Sequence, residues 1–81
     1  MARKGSFRDD PIYENRDRIC RRRMRDVEQA LDAWLRIDVL GTPKEKALKT
    51  KFERARKAYE AAVRIRMRRR ETLIRQWGLN A

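Results

Sequence analysis

The sequence has no histidine, one cysteine, three glycines, two prolines and only two each of Trp, Tyr and Phe. Without histidine, the commonest general base and metal ligand is missing, and so is every Ser-His or Cys-His nucleophile pair. Cys20 alone makes neither an intramolecular disulfide nor a zinc site, and reads as a small buried hydrophobe. Gly5, Gly41 and Gly78 stand too far apart to build a phosphate-cradling loop. The carboxylates form no two-metal cluster, since Asp9 and Asp10 precede Pro11 as a helix cap would. These absences predict a chain that is not an enzyme and takes no cofactor or metal. No apolar run is long enough to span a bilayer, and the basic start, Met1 to Ser6, has no apolar stretch behind it. A cytoplasmic setting is expected.

What the sequence has in excess is positive charge. Its 81 residues include 23 basic and 12 acidic side chains, a formal charge of +11. Such a molecule attracts polyanions, with an affinity that falls as salt rises, so nucleic acid is the first partner to consider. An anionic membrane would satisfy the same electrostatics, but the basic stretches lack the Leu, Phe and Trp face that enters lipid. No membrane partner is expected.

The spacing of apolar residues predicts an all-α fold, an antiparallel two-helix hairpin over 9–81, with a break in one helix, giving three, as the alternative. Residues 1–8 read as a flexible basic arm with Phe7 as a candidate anchor. The first helix starts at Asp10-Pro11 and is expected to run to about Leu40, carrying Tyr13, Cys20, Met24, Val27, Leu31 and Trp34 on one face, widened by Ile12, Ile19, Leu35 and Ile37. Gly41 supplies a left-handed terminator, and Thr42-Pro43-Lys44-Glu45 is a capping box with proline at the first helical position. The second helix, about 43–78, places Leu48, Phe52, Ala55, Tyr59, Ala62 or Val63, Met67, Ile74 and Trp77 together. Met24, Val27, Leu31, Trp34, Phe52, Tyr59, Val63 and Trp77 are the candidate core or oligomer seam. A chain this short buries little surface as a monomer, so self-association or a partner is expected.

Charge is segregated along the chain. Residues 1–25 carry nine basic and four acidic side chains, 26–60 eight and seven, and 61–81 six and one, for net charges of +5, +1 and +5. Apart from Lys4, every basic residue of the two end segments is arginine, which suits planar, bidentate contact with phosphate. A hairpin brings those ends together and is expected to merge their arginines into one patch. Pairing residues whose numbers sum to roughly 84 sets Asp17 near Arg66 and Glu14 near Arg70 as structural ion pairs. That leaves Arg18, Arg21, Arg22, Arg25, Arg64, Arg68, Arg69 and Arg75 as candidate nucleic-acid contacts. The aromatics fall on the apolar seams rather than among the arginines, so base stacking is not indicated. Phe7, Ile12, Leu73, Ile74 and Trp77 are expected to close the open end.

From Leu48 onward, the stretch LKTKFERARKAYEAAVRIRMRRRETLIRQWGLNA resembles the C-terminal part of some phage terminase small subunits, in which a helix with spaced alanines ends in an L-x-x-x-x-G-L element. Here Leu73 or Ile74 through Trp77-Gly78-Leu79 matches that element, without the proline that usually follows and without a separate DNA-binding domain ahead of it. The resemblance implies a ring-forming, non-enzymatic subunit that recognises viral DNA and passes it to a packaging motor in the cytoplasm of a bacterial host. Three functions therefore stand as expectations. The first is a phage-type nucleic-acid-binding oligomer, with DNA ahead of RNA. The second is a protein-binding module, such as a phage-encoded inhibitor of a host nucleic-acid-binding machine, whose arginines meet carboxylates. The third is a structural ribonucleoprotein subunit.

Overall fold

The computed structural model describes residues 6–78: a 3₁₀ turn at Phe7–Asp9, helix α1 at Pro11–Leu35 and helix α2 at Pro43–Gln76, with no strand among the described residues. The two helices fold back on each other as an αα-hairpin, a rod of 62 × 17 × 17 Å. Residues 36–42 make the connection between them.

Both helix starts follow from their caps. The Asp10 carboxylate accepts the Tyr13 N–H at 2.7 Å with Pro11 at the first helical position. The Thr42 hydroxyl accepts the Glu45 N–H at 3.2 Å ahead of Pro43. Each cap satisfies an amide that the helix itself leaves without a partner. Gly41 at φ +79° and Gly78 at φ +68° take the left-handed backbone that ends a helix or turns the chain.

The α1 terminus differs from the sequence expectation. The helix stops at Leu35 rather than Leu40, and its last turn tightens as the Ile37 N–H reaches the Trp34 carbonyl. The cause is a contact the periodicity does not encode. The Trp34 indole N–H donates to Glu45 Oε2 at 2.7 Å, while Glu45 Oε1 accepts the Gly41 N–H at 3.4 Å. Glu45 in the first turn of α2 thus ties the end of α1 to the turn, and the chain must begin reversing directly after Trp34. The β-branched Ile37 and Val39, and Asp38 near a negative helix end, would add little to a longer helix.

Of the proposed arm, residues 6–8 are described. Ser6 caps the 3₁₀ turn through its hydroxyl, and Phe7 packs 5.1 Å from the Tyr13 ring and 5.3 Å from the Trp77 ring. Residues 1–5 lie outside the described residues, as does Leu79 of the Gly-Leu element. The aromatic cluster closes the open end as expected, with Leu73 buried beside it, although Ile12 remains 46% exposed.

Among the described residues only Cys20, Ala30, Ala62 and Leu73 are buried, and three of the four are small. Two helices share a single line of contact, so a residue that fits wholly inside it must be small, and larger ones spill to either side. Met24, Val27, Leu31, Trp34, Phe52, Tyr59, Val63 and Trp77 are accordingly all half-buried on the seam. The Trp34 and Phe52 rings pack tilted at 39°, with centroids 5.6 Å apart, near the turn. Met67 is not on the seam: it is 39% exposed, because five residues from Ala62 is 140° around a helix.

Candidate nucleic-acid interface

At the open half of the rod, three arginines are held by backbone or carboxylate partners across the hairpin. Arg69 grips Asp10 with both arms of its guanidinium, Nε at 2.9 Å and Nη2 at 2.7 Å. Arg66 donates to Asp17 at 2.7 Å, and Arg21 on α1 shares that carboxylate at 2.6 Å. Arg16 donates to the Ile65 carbonyl at 3.0 Å. These contacts link opposite helices at fixed register, which single-sided apolar packing does not do by itself.

Electrostatics follow the geometry. The Arg69 hydrogen bond holds the Asp10 carboxyl below its ordinary range, with the Tyr13 amide helping against partial desolvation. For Asp17, burial pushes upward, but the hydrogen bond from Arg66 and the charges of Arg21 and Arg66 together outweigh it and leave the group lowered. Burial raises the Cys20 thiol, with Asp17 adding to it against the Arg66 charge. The Arg66 Nε is buried without a hydrogen-bond partner, so that guanidinium is positioned by one arm only.

The eight candidate arginines consequently divide. Arg69 is no longer available, since its guanidinium is spent on Asp10, a partner at the N-cap that a linear register cannot place. Arg21 is half engaged with Asp17 but remains mostly exposed. Arg18, Arg22, Arg25, Arg64, Arg68 and Arg75 are exposed and have no ion pair with a described carboxylate. Arg66 pairs with Asp17 as the register anticipates, whereas Arg70 lies 5.3 Å over the Phe7 ring instead of pairing with Glu14.

These side chains form two edges rather than one merged patch. Arg18 and Arg22 flank the buried Cys20 by two residues on either side, and the 3.6-residue period turns both away from α2. With Arg21, Arg25, Asn15 and Ile19 they border one surface cleft of about 400 Å³. Arg64 and Arg75 stand two residues from buried Ala62 and Leu73, and so face away from α1. Arg68, five residues from Leu73, lies near the same side. The two edges flank a body 17 Å across. The lysines, apart from Lys4, lie on the turn half of α2.

Besides the Arg69 clamp on Asp10 and Arg70 over Phe7, the sequence did not point to two further contacts, Arg16 to Ile65 and Trp34 to Glu45. The second had a signal, because a half-buried indole N–H needs an acceptor and Glu45 was the nearest carboxylate past the turn. No described helix is long and apolar enough to cross a membrane. No protein-family model, curated protein or solved structure matches the chain.

Proposed function

We propose that the protein is a small, non-enzymatic nucleic-acid-binding protein that holds a phosphate backbone against the arginine edge of α1. The observation that carries this reading is the division of labour among the arginines. Arg66 and Arg69 are committed to carboxylates across the hairpin, while Arg18, Arg22 and Arg25 stand exposed at spacings of four and three along one face, bordering a common cleft. Unpaired guanidiniums kept close together cost stability through mutual repulsion, and a phosphate backbone relieves that cost. The contacts are of the positioning kind, to phosphate rather than to base edges, so binding is expected to follow shape and charge more than sequence.

DNA packaging by a ring of copies, as in the terminase small subunits that the C-terminal half resembles, is the narrower form of the proposal. Exposed Leu35, Val39 and Leu40 at the turn end give a second copy an apolar surface where net charge is low. Contact there would not bring the arginine edges together.

Anisotropy titrations with labelled duplex DNA and duplex RNA test the reading. Arg18→Glu, Arg22→Glu and Arg25→Glu together should abolish binding, and neutral replacements should flatten the salt dependence by about one unit of slope per arginine. Equal reversals at Lys44, Lys46 and Lys49 should do little. Equal losses from both sets, or affinity indifferent to salt, would overturn the proposal, and light scattering with and without DNA reads the oligomer.

A further inference from the structure

The broad side of the hairpin carries a feature that phosphate binding does not use. Between the helices runs a trough of about 300 Å³, floored by Ala58, Ala61 and Ala62, walled by Ile19 and Ile65, and edged by Arg16 and Arg23. No carboxylate lines it. Ile19 and Ile65 are 41% and 44% exposed, and Ile12, one heptad before Ile19, continues the same stripe. In a chain that is 43% charged, exposed isoleucines gathered on one side are not filler.

We propose that this trough docks an amphipathic helix of another protein, one with an apolar stripe bordered by Asp and Glu. Along α1 the stripe reads Ile12, Arg16, Ile19, Arg23, apolar and basic in alternation at spacings of four, three and four. Its complement is an apolar and acidic stripe with the same helical period. Three alanines on the floor let a third backbone approach closely, which turns the hairpin into a three-helix bundle. Arg23 is held only loosely, 3.7 Å from Asp26, and can turn to an incoming carboxylate. The Arg16 Nη1 is anchored on the Ile65 carbonyl at the trough's rim, which fixes the guanidinium where that carboxylate would arrive.

A second copy of the chain fits the same surface poorly. A two-fold contact across this side would face Arg16 and Arg23 with their own equivalents, with no carboxylate in the trough to offset them. Docking by strand addition is excluded too, because the backbone amides beside the trough are already used within α1 and α2.

The probe is a labelled synthetic helix with leucines on one face and glutamates flanking them, titrated against the full chain by anisotropy. Two control peptides accompany it, one with lysines for the glutamates and one of the same composition with the leucines scattered. The acidic amphipathic peptide should bind, and both controls should bind at least about tenfold more weakly, a difference near 1.4 kcal/mol. Paired Ala58→Gln and Ala61→Gln substitutions, which fill the trough, should remove binding, whereas Arg18→Glu, Arg22→Glu and Arg25→Glu should spare it even where they abolish nucleic-acid binding. Amide shifts in the unmodified protein provide a readout independent of any variant, with perturbations expected at Ala58, Ala61 and Ile65, which line the trough and not the arginine cleft, and not at Gln29. Equal binding of the scattered or lysine peptide, unchanged binding by the filled trough, or shifts spread over the arginine edge would each overturn the proposal. So would a self-associated chain that the filled trough dissociates, since the occupant would then be a second copy.

Discussion

Asp10 performs two tasks with one carboxylate. It caps α1 through the Tyr13 amide and receives both arms of Arg69 from the far end of the chain. Thr42 performs only the first kind of task, on α2. Removing an N-cap costs about 1 kcal/mol, so Thr42→Ala should lower stability by roughly that amount, and Asp10→Ala should lower it more. Thermal or urea unfolding of the two variants measures the comparison directly, and equal losses would mean the Arg69 clamp contributes nothing. The same carboxylates set the acid limit. Both Asp10 and Asp17 titrate below their ordinary values in the folded chain, so the stability they add is present above the unfolded value, near 3.9, and is lost as pH falls through the lowered folded values. Stability should therefore hold level from neutral pH down to about 5 and then decline. Asp17→Asn should be less stable at neutral pH and show a shallower decline.

At the scale of the element, the turn was the most legible part of the sequence and the end of α1 the least. Gly41-Thr42-Pro43 with Glu45 announced a chain reversal, because each residue type there answers a specific backbone requirement. Gly41 sits at φ +79° with no atom near the position a Cβ would take, so Gly41→Ala should cost about 1 kcal/mol from backbone strain alone. Periodicity carried α1 past its true end because Leu35, Ile37 and Leu40 continue the apolar count, while the Trp34 to Glu45 bond that stops the helix is a contact between elements. Trp34→Phe keeps the ring against Phe52 and deletes the donor. It should cost about 1.5 to 3 kcal/mol, as expected for a hydrogen bond to a charged acceptor, and Glu45→Gln should cost less. The candidate site was legible to a similar extent. Helical period alone put seven of the eight candidate arginines at exposed positions, Arg69 being the exception, and set Arg66 beside Asp17. It did not show that Arg69 would turn back to the N-cap of α1, or that two outward faces on antiparallel helices point in opposite directions.

For the whole molecule, the governing fact is that attraction and repulsion among charges are placed differently. The ion pairs that link the helices, Asp10 with Arg69 and Asp17 with Arg66, are largely shielded from solvent, and salt screens such pairs weakly. The repulsive arginines, Arg18, Arg22, Arg25, Arg64, Arg68 and Arg75, are exposed, and salt screens exposed charges well. Added salt should therefore remove more repulsion than attraction and raise the melting temperature of the free protein. Over the same range it should weaken binding to DNA or RNA, because counterions released on binding return at a higher cost. The two responses have opposite sign and one cause. Measuring melting temperature and nucleic-acid affinity across the same salt series tests both together. A melting temperature that falls with salt would mean that exposed attractive pairs dominate, and the arginine edges would then have to be read as balanced surface rather than as charge held ready for a polyanion.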